Sequence, residues 1–174
     1  MEALLFILHT LVTLLVVAFL LRVLMPLVRA DFRNPIGEAV LKITDPLVVP
    51  LRRALPRAKR VDVGALAALL IVHFAGTVVL RLVAGATLNP AVLVTAGFLS
   101  LLHTVLQFYF IVVLLYALLS WFAAAGYNPL HDTLARLCEP LLAPVRRVIP
   151  PLGGLDLSVL FVLIALQALQ ILLR

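Results

Sequence analysis

The sequence predicts an all-α polytopic membrane protein: four transmembrane helices in two parallel tandem repeats, each with an interfacial amphipathic helix and elbow. Three observations carry this. Of 174 residues 64% are hydrophobic, against 14 basic and 8 acidic ones, which is more apolar surface than one soluble core of this size can hide. Four near-charge-free apolar runs have the length of a membrane span. The chain also aligns on itself without gaps at a constant offset of 94. A free globular enzyme and a disordered chain are excluded by the apolar content. A disulfide scaffold is excluded because Cys138 is the single cysteine.

A helix rising about 1.5 Å per residue needs about 20 apolar residues to cross roughly 30 Å of hydrocarbon. The runs that meet this are Ala3 to Leu21, Val63 to Leu80, Gly97 to Phe122 within the longer stretch from Ala91 to Ala125, and Leu157 to Leu173. In the first, the Leu, Ile, Phe and Val residues outweigh His9, Thr10 and Thr13 by several kcal/mol of insertion free energy. With Glu2 in place of a basic leader and no small-x-small site between Arg22 and Ala30, this run reads as a retained span, not a cleaved signal.

All charges except Glu2, Arg81 and Arg174 fall in two segments, Arg22 to Asp62 and Asp132 to Asp156. Those segments hold twelve of the 14 Lys and Arg residues, so the positive-inside rule puts both long loops in the cytoplasm and both termini outside. Trp121 and Tyr127 then fall at the inner end of the third span, at headgroup level.

At the offset of 94, Asn34-Pro35 returns as Asn128-Pro129, Pro46-Leu47 as Pro140-Leu141, Pro50 as Pro144, Arg52-Arg53 as Arg146-Arg147, Pro56 as Pro150 and Asp62 as Asp156. That is nine identities in 29 positions, where chance gives roughly two. Asp45 matches Glu139 in kind, Glu38 matches Asp132 and Lys42 matches Arg136. Residues 1–80 form the first unit, 81–94 an outward linker and 95–174 the second. Two spans per unit make the repeats parallel, so both proline-arginine segments share one face.

Asn34-Pro35 and Asn128-Pro129 pair an N-cap residue with proline at the first helical position, which predicts a short helix in each unit. The spacing of Ile36, Val40 and Ile43, and of Leu130, Leu134 and Leu137, gives each one apolar stripe to lay on the membrane. Asp45-Pro46 and Glu139-Pro140 restart the chain, and Pro50 and Pro144 cannot continue a helix without losing a hydrogen bond. A bent elbow is therefore expected before Arg52-Arg53 and Arg146-Arg147. Four arginines there anchor the loops to anionic phospholipid headgroups, or dock a partner through bidentate oxyanion contacts. Asp62 and Asp156 are expected to cap the following spans and also to face the arginines of their own unit. Arg57, Lys59 and Arg60, which have no copy in the second unit, read as topology charge.

Ionisable residues inside spans are functional candidates. His73, with Gln107 and Gln167, would line a pathway if the protein were a channel or transporter. His9 and His103 occupy matching positions near the outer ends. Ala96, Ser100 and Thr104 form a small-residue line that marks the third span as the central packing helix. No phosphate-binding glycine loop, metal-spaced Cys/His set or nucleophile elbow occurs, so neither catalytic residues nor a metal or cofactor is expected. The basic loops lack interleaved aromatics, so no nucleic-acid partner is expected.

The doubled elements Asp45-Pro46-Leu47 to Arg52-Arg53 to Pro56, and Glu139-Pro140-Leu141 to Arg146-Arg147 to Pro150, resemble the YggT/YlmG family of bacterial and plastid membrane proteins. Asn34-Pro35 and Asn128-Pro129 fit the same pattern, and the resemblance covers nearly the whole chain. It implies a bacterial inner-membrane protein without an established enzymatic activity. Members are linked to cell division or nucleoid distribution, to osmotic tolerance, and in photosynthetic relatives to cytochrome b6f assembly. Two full units match the proteobacterial type. The expected function is a non-enzymatic adaptor or assembly factor of the inner membrane, engaging a membrane-protein partner or a second copy of itself. Asp45, Pro46, Pro50, Arg52, Arg53, Pro56, Glu139, Pro140, Pro144, Arg146, Arg147 and Pro150 are the binding residues. A small ion or osmolyte channel, and haem handling through His9 and His103, are the alternatives.

Overall fold

The computed structural model describes residues 2–30, 32–56, 61–121, 129–149 and 156–173. Among them are six helices and no strand: α1 (Glu2–Leu27), α2 (Pro35–Ala54), α3 (Val63–Val83), α4 (Pro90–Trp121), α5 (Pro129–Val148) and α6 (Leu157–Leu172). The helices α1, α3 and α4 are long and apolar enough to cross a membrane. The fourth expected span, α6, has 16 residues and is about 24 Å long, short of a hydrocarbon core of roughly 30 Å. The third expected span begins earlier than predicted, because Pro90 takes the first helical position and Asn89 accepts the Ala91 N–H at 3.0 Å.

The helix α1 packs along α3, and α2 lies against both; α4 packs along α6, and α5 lies against both. The join runs chiefly through α3 and α4, with α1 also touching α4. α4 thus touches α1, α3, α5 and α6. One continuous apolar cluster links the six helices, with Phe19, Leu69, Phe108, Val113, Leu137 and Val162 at its centre. Much apolar surface stays outside it, including Phe6 at 72% and Ile164 at 58% exposure. No soluble monomer carries that freely, but acyl chains cover it at no cost.

Two expectations for the proline segments are corrected. The chain does not bend into an elbow: Pro46 and Pro50 sit inside an unbroken α2, as Pro140 and Pro144 sit inside α5. All four prolines are exposed. The carbonyls they leave without a helical N–H therefore face outward, while Val40, Thr44 and Val48 on the opposite face are held by packing. The buried stripe is also shifted. It comprises Gly37, Val40, Thr44 and Val48 in α2, and Thr133, Leu134, Leu137, Cys138 and Leu142 in α5. Ile43 and Leu130 are exposed at 53% and 39%, because contact with two neighbouring helices, not one flat surface, selects the face.

Helix ends show how the two halves are tied. The helix α3 ends with Gly85 in the left-handed region at φ 69°, the Ala86 N–H reaching back to the Arg81 carbonyl at 2.9 Å. The first helix stops the same way without glycine: Arg29 has φ 54°, and the Ala30 N–H bonds the Met25 carbonyl at 2.9 Å. The Arg29 carbonyl so turned accepts from Arg136 Nη1 at 3.1 Å, across to α5.

Cys138 is fully buried in the cluster, and burial pushes its thiol up to about 12. A thiol so placed is neither accessible nor ionised. In the folded protein at pH 8, maleimide labelling of Cys138 is expected to be slower than in a denatured control by at least roughly a hundredfold, since both access and thiolate are lost.

Candidate functional site

Asn34 caps α2, its Oδ1 accepting the Gly37 N–H at 2.7 Å. Its other side-chain atom crosses to the second half, where Nδ2 donates to Thr133 Oγ1 at 3.0 Å. With the Arg136 contact to Arg29, this brings the start of α2 and the start of α5 together. Asn128 and Pro150 lie outside the described residues, as do Tyr127, Arg57, Lys59, Arg60 and the side chain of Trp121.

At the other end of α2, Arg52 forms an ion pair with Asp62, the N-cap of α3, whose Oδ1 also accepts the Ala65 N–H at 3.2 Å. One carboxylate thus joins two helix ends. In the second half Arg146 does the same with Asp156, the N-cap of α6, at 2.7 Å, and Asp156 Oδ1 accepts the Ser158 N–H at 3.1 Å. Burial is the largest single influence and raises both aspartates, but at Asp62 the Arg52 and Ala65 hydrogen bonds and the charges of Arg52 and Arg22 together outweigh it. At Asp156 the side-chain and backbone hydrogen bonds from Ser158, with the hydrogen bond and charge of Arg146, do so together. Both carboxyls are held below their ordinary value of 3.8.

Because the folded values are lowered, the stabilisation is complete above the ordinary carboxylate range and disappears as the pH falls through the lowered values. Thermal unfolding in detergent is expected to show a stability loss below about pH 4 that is blunted in the Asp62→Asn/Asp156→Asn protein. An equally steep acid loss in that variant contradicts the assignment.

Arg22 was not among the candidates read from sequence, yet it is the best-buried charge among the described residues at 6% exposure. It lies among the buried apolar residues of α1, with Leu20 before it and Val23 and Met25 after it, pairs through Nη2 with Asp45 at 2.9 Å, and lies 5.3 Å above the Phe32 ring. Its Nε is buried without a hydrogen-bond partner. The position 94 residues on is Tyr116, whose Oη lies 3.4 Å from Arg146 Nη2. Glu139, matching Asp45, bonds Arg146 Nη1 at 3.1 Å. Each half therefore gathers an acid on its amphipathic helix, the first arginine of its doublet and the capping aspartate at one place, and they differ in whether the spanning helix supplies Arg or Tyr.

The arginine doublets split. Arg52 and Arg146 are bound internally, while Arg53 and Arg147 are exposed with no acid pairing among the described residues. Pro56 is exposed next to them. The pathway candidates are not brought together: His73 is buried between α3 and α4, its Nε2 within 2.9 Å of the Gly97 carbonyl and 3.1 Å of Ser100 Oγ, whereas Gln107 and Gln167 are exposed. No group of three or more metal-ligating side chains occurs among the described residues.

This geometry defines a helical membrane-type protein whose ion pairs join the amphipathic helices α2 and α5 to the apolar helices beside them. The comparisons place it further. The family model described as CCB3/YggT matches residues 1–83 and 95–174, and the chain belongs to that family. It is 37% identical over 169 residues to a Vibrio alginolyticus protein described by its position in the proC 3′ region, covering 96% of this chain and 91% of that one. The uncharacterised protein YggT of Escherichia coli is 35% identical over 170 residues, 98% of this chain and 88% of its own. A shorter relative, ycf19 of Porphyra purpurea, is 36% identical over 66 residues, 37% of this chain and 70% of its own. No solved structure matches.

Proposed function

We propose that the chain is a non-enzymatic adaptor or assembly factor of the bacterial inner membrane, built from two parallel units and presenting α2 and α5 to a partner protein at the cytoplasmic surface. The observation that carries this is the division of labour within each doublet. The first arginine closes an ion pair with the helix cap, which fixes the angle at which the amphipathic helix leaves the next one. The second stays exposed, free to take a carboxylate or phosphate bidentately. Roles in envelope organisation, cell division or osmotic tolerance fit an adaptor of this kind. In this reading α6 completes a fourth crossing, and the Lys and Arg surplus holds both long loops inside.

The test is affinity capture from native membranes at endogenous expression. The Arg53→Ala/Arg147→Ala protein is expected to fold and insert as wild type does while losing a co-purifying protein by about tenfold or more, the scale of two lost charge-assisted contacts. Identical partner sets from both proteins, with proven insertion, sink the adaptor reading. Solute flux into proteoliposomes would replace it with a transport role.

A further inference from the structure

A second place in the molecule gathers polar groups that the adaptor reading does not use. Between α1, α3 and α4 lies a cleft of about 370 Å³, large enough for part of a small ligand. It sits at the far end of α3 from Asp62: Arg81, which lines it, is nineteen residues further along the helix, or about 28 Å. His73, Thr77 and Arg81 come round one face of α3 at intervals of four, and His9 and Thr13 face them from α1.

The chemistry of the lining is one-sided. Arg81 is its only charged residue, no carboxylate lines the cleft, and no acid among the described residues pairs with Arg81. The hydroxyls that α3 and α4 contribute are already committed to backbone. Thr77 donates to the His73 carbonyl at 2.9 Å, Ser100 to the Gly97 carbonyl at 2.9 Å and Thr104 to the Ser100 carbonyl at 2.8 Å. His73 Nε2 is engaged by Gly97 and Ser100, closing the inner end. What remains toward the cleft is mostly aliphatic, with Leu5, Val12, Val16 and Leu80 along the wall. A hydrated ion finds few donors there. An amphipathic anion finds an apolar trough about 12 Å long, from His73 to Arg81, with a guanidinium at its end.

We infer that this cleft is a binding site for an anionic phospholipid, the phosphate held by Arg81 and one acyl chain lying along the aliphatic wall toward His73. The lining selects against zwitterionic headgroups. It offers neither a carboxylate nor a Phe, Tyr or Trp face to receive a quaternary ammonium, whereas a guanidinium fork matches a phosphate.

The experiment uses the whole purified protein, delipidated in detergent and titrated with phosphatidylglycerol, phosphatidylcholine of the same chains, or inorganic phosphate, with bound lipid counted by native mass spectrometry. Wild type is expected to prefer phosphatidylglycerol. Arg81→Gln is expected to weaken that binding about tenfold while Arg81→Lys keeps most of it. Thr13→Phe, which fills the trough and leaves the arginine in place, is expected to weaken it as well, and stands as the deciding variant if Arg81→Gln does not fold. Undiminished phosphatidylglycerol binding in a folded Arg81→Gln or Thr13→Phe protein overturns the site. Competition by millimolar inorganic phosphate as effective as that by lipid overturns the lipid assignment and leaves a simple anion site.

Discussion

Asp45→Ala is expected to lower the stability of the detergent-solubilised protein by about 2 to 3 kcal/mol, at or just below the lower end of the range for breaking a buried pair. The asymmetry of the pair sets this figure. Arg22 has a side-chain exposure of 7% and Asp45 one of 43%, so water screens the acid and not the base. Without Asp45 the guanidinium keeps the Phe32 ring but loses the acid it pairs with, and its Nε is already unpartnered. The double variant Arg22→Met/Asp45→Ala is expected to recover most of the loss, because a well-packed apolar side chain escapes the desolvation penalty. Glu139→Ala, at the matching position, is expected to cost under about 1 kcal/mol, since Glu139 is 59% exposed and Arg146 keeps Asp156. Equal losses for Asp45→Ala and Glu139→Ala would show that the buried arginine does not govern the first site.

That asymmetry also marks the limit of what the chain discloses before folding. Apolar runs determine α1, α3 and α4 because insertion depends on composition summed along one helix, and the offset of 94 pairs Arg52 with Asp62 and Arg146 with Asp156 because local geometry repeats with local sequence. Arg22 escapes both signals. A single arginine closing an apolar run is the ordinary signature of a cytoplasmic flank, and its counterpart Tyr116 breaks the repeat at that position. Only the approach of α2 to α1 makes it a buried partner of Asp45. The prolines mislead for a related reason. Each costs a backbone hydrogen bond wherever it stands, but Pro46 and Pro50 fall on the exposed face of α2, and burial of Val40, Thr44 and Val48 on the other face outweighs the loss. The apolar stripe was visible as a period, whereas its register depended on two neighbouring helices that no single-helix pattern contains.

Gly37→Ala is the second large effect. A Cβ at this position would lie 2.5 Å from the Phe32 Cα and 2.6 Å from the Phe32 carbonyl oxygen. Those are backbone atoms, which no rotamer change can move aside. The cost is expected at about 1 to 3 kcal/mol, the scale of overpacking, although alanine is intrinsically the better helix former by roughly 1 kcal/mol. The displacement reaches further than the clash. Gly37 is the residue whose N–H Asn34 caps, Asn34 in turn holds Thr133 of the second half, and Phe32 supplies the ring beneath Arg22. Moving Phe32 away therefore loosens the join between the halves and uncovers the buried arginine. In the second half the matching residue is His131, whose ring lies 5.4 Å from the Tyr116 ring. His131→Ala is expected to cost less than Gly37→Ala. Thermal unfolding and Cys138 labelling together separate the outcomes: a lowered midpoint with faster labelling identifies loss of the shared core, and an unchanged midpoint in Gly37→Ala shows that the Phe32 turn yields freely and does not hold the two halves together.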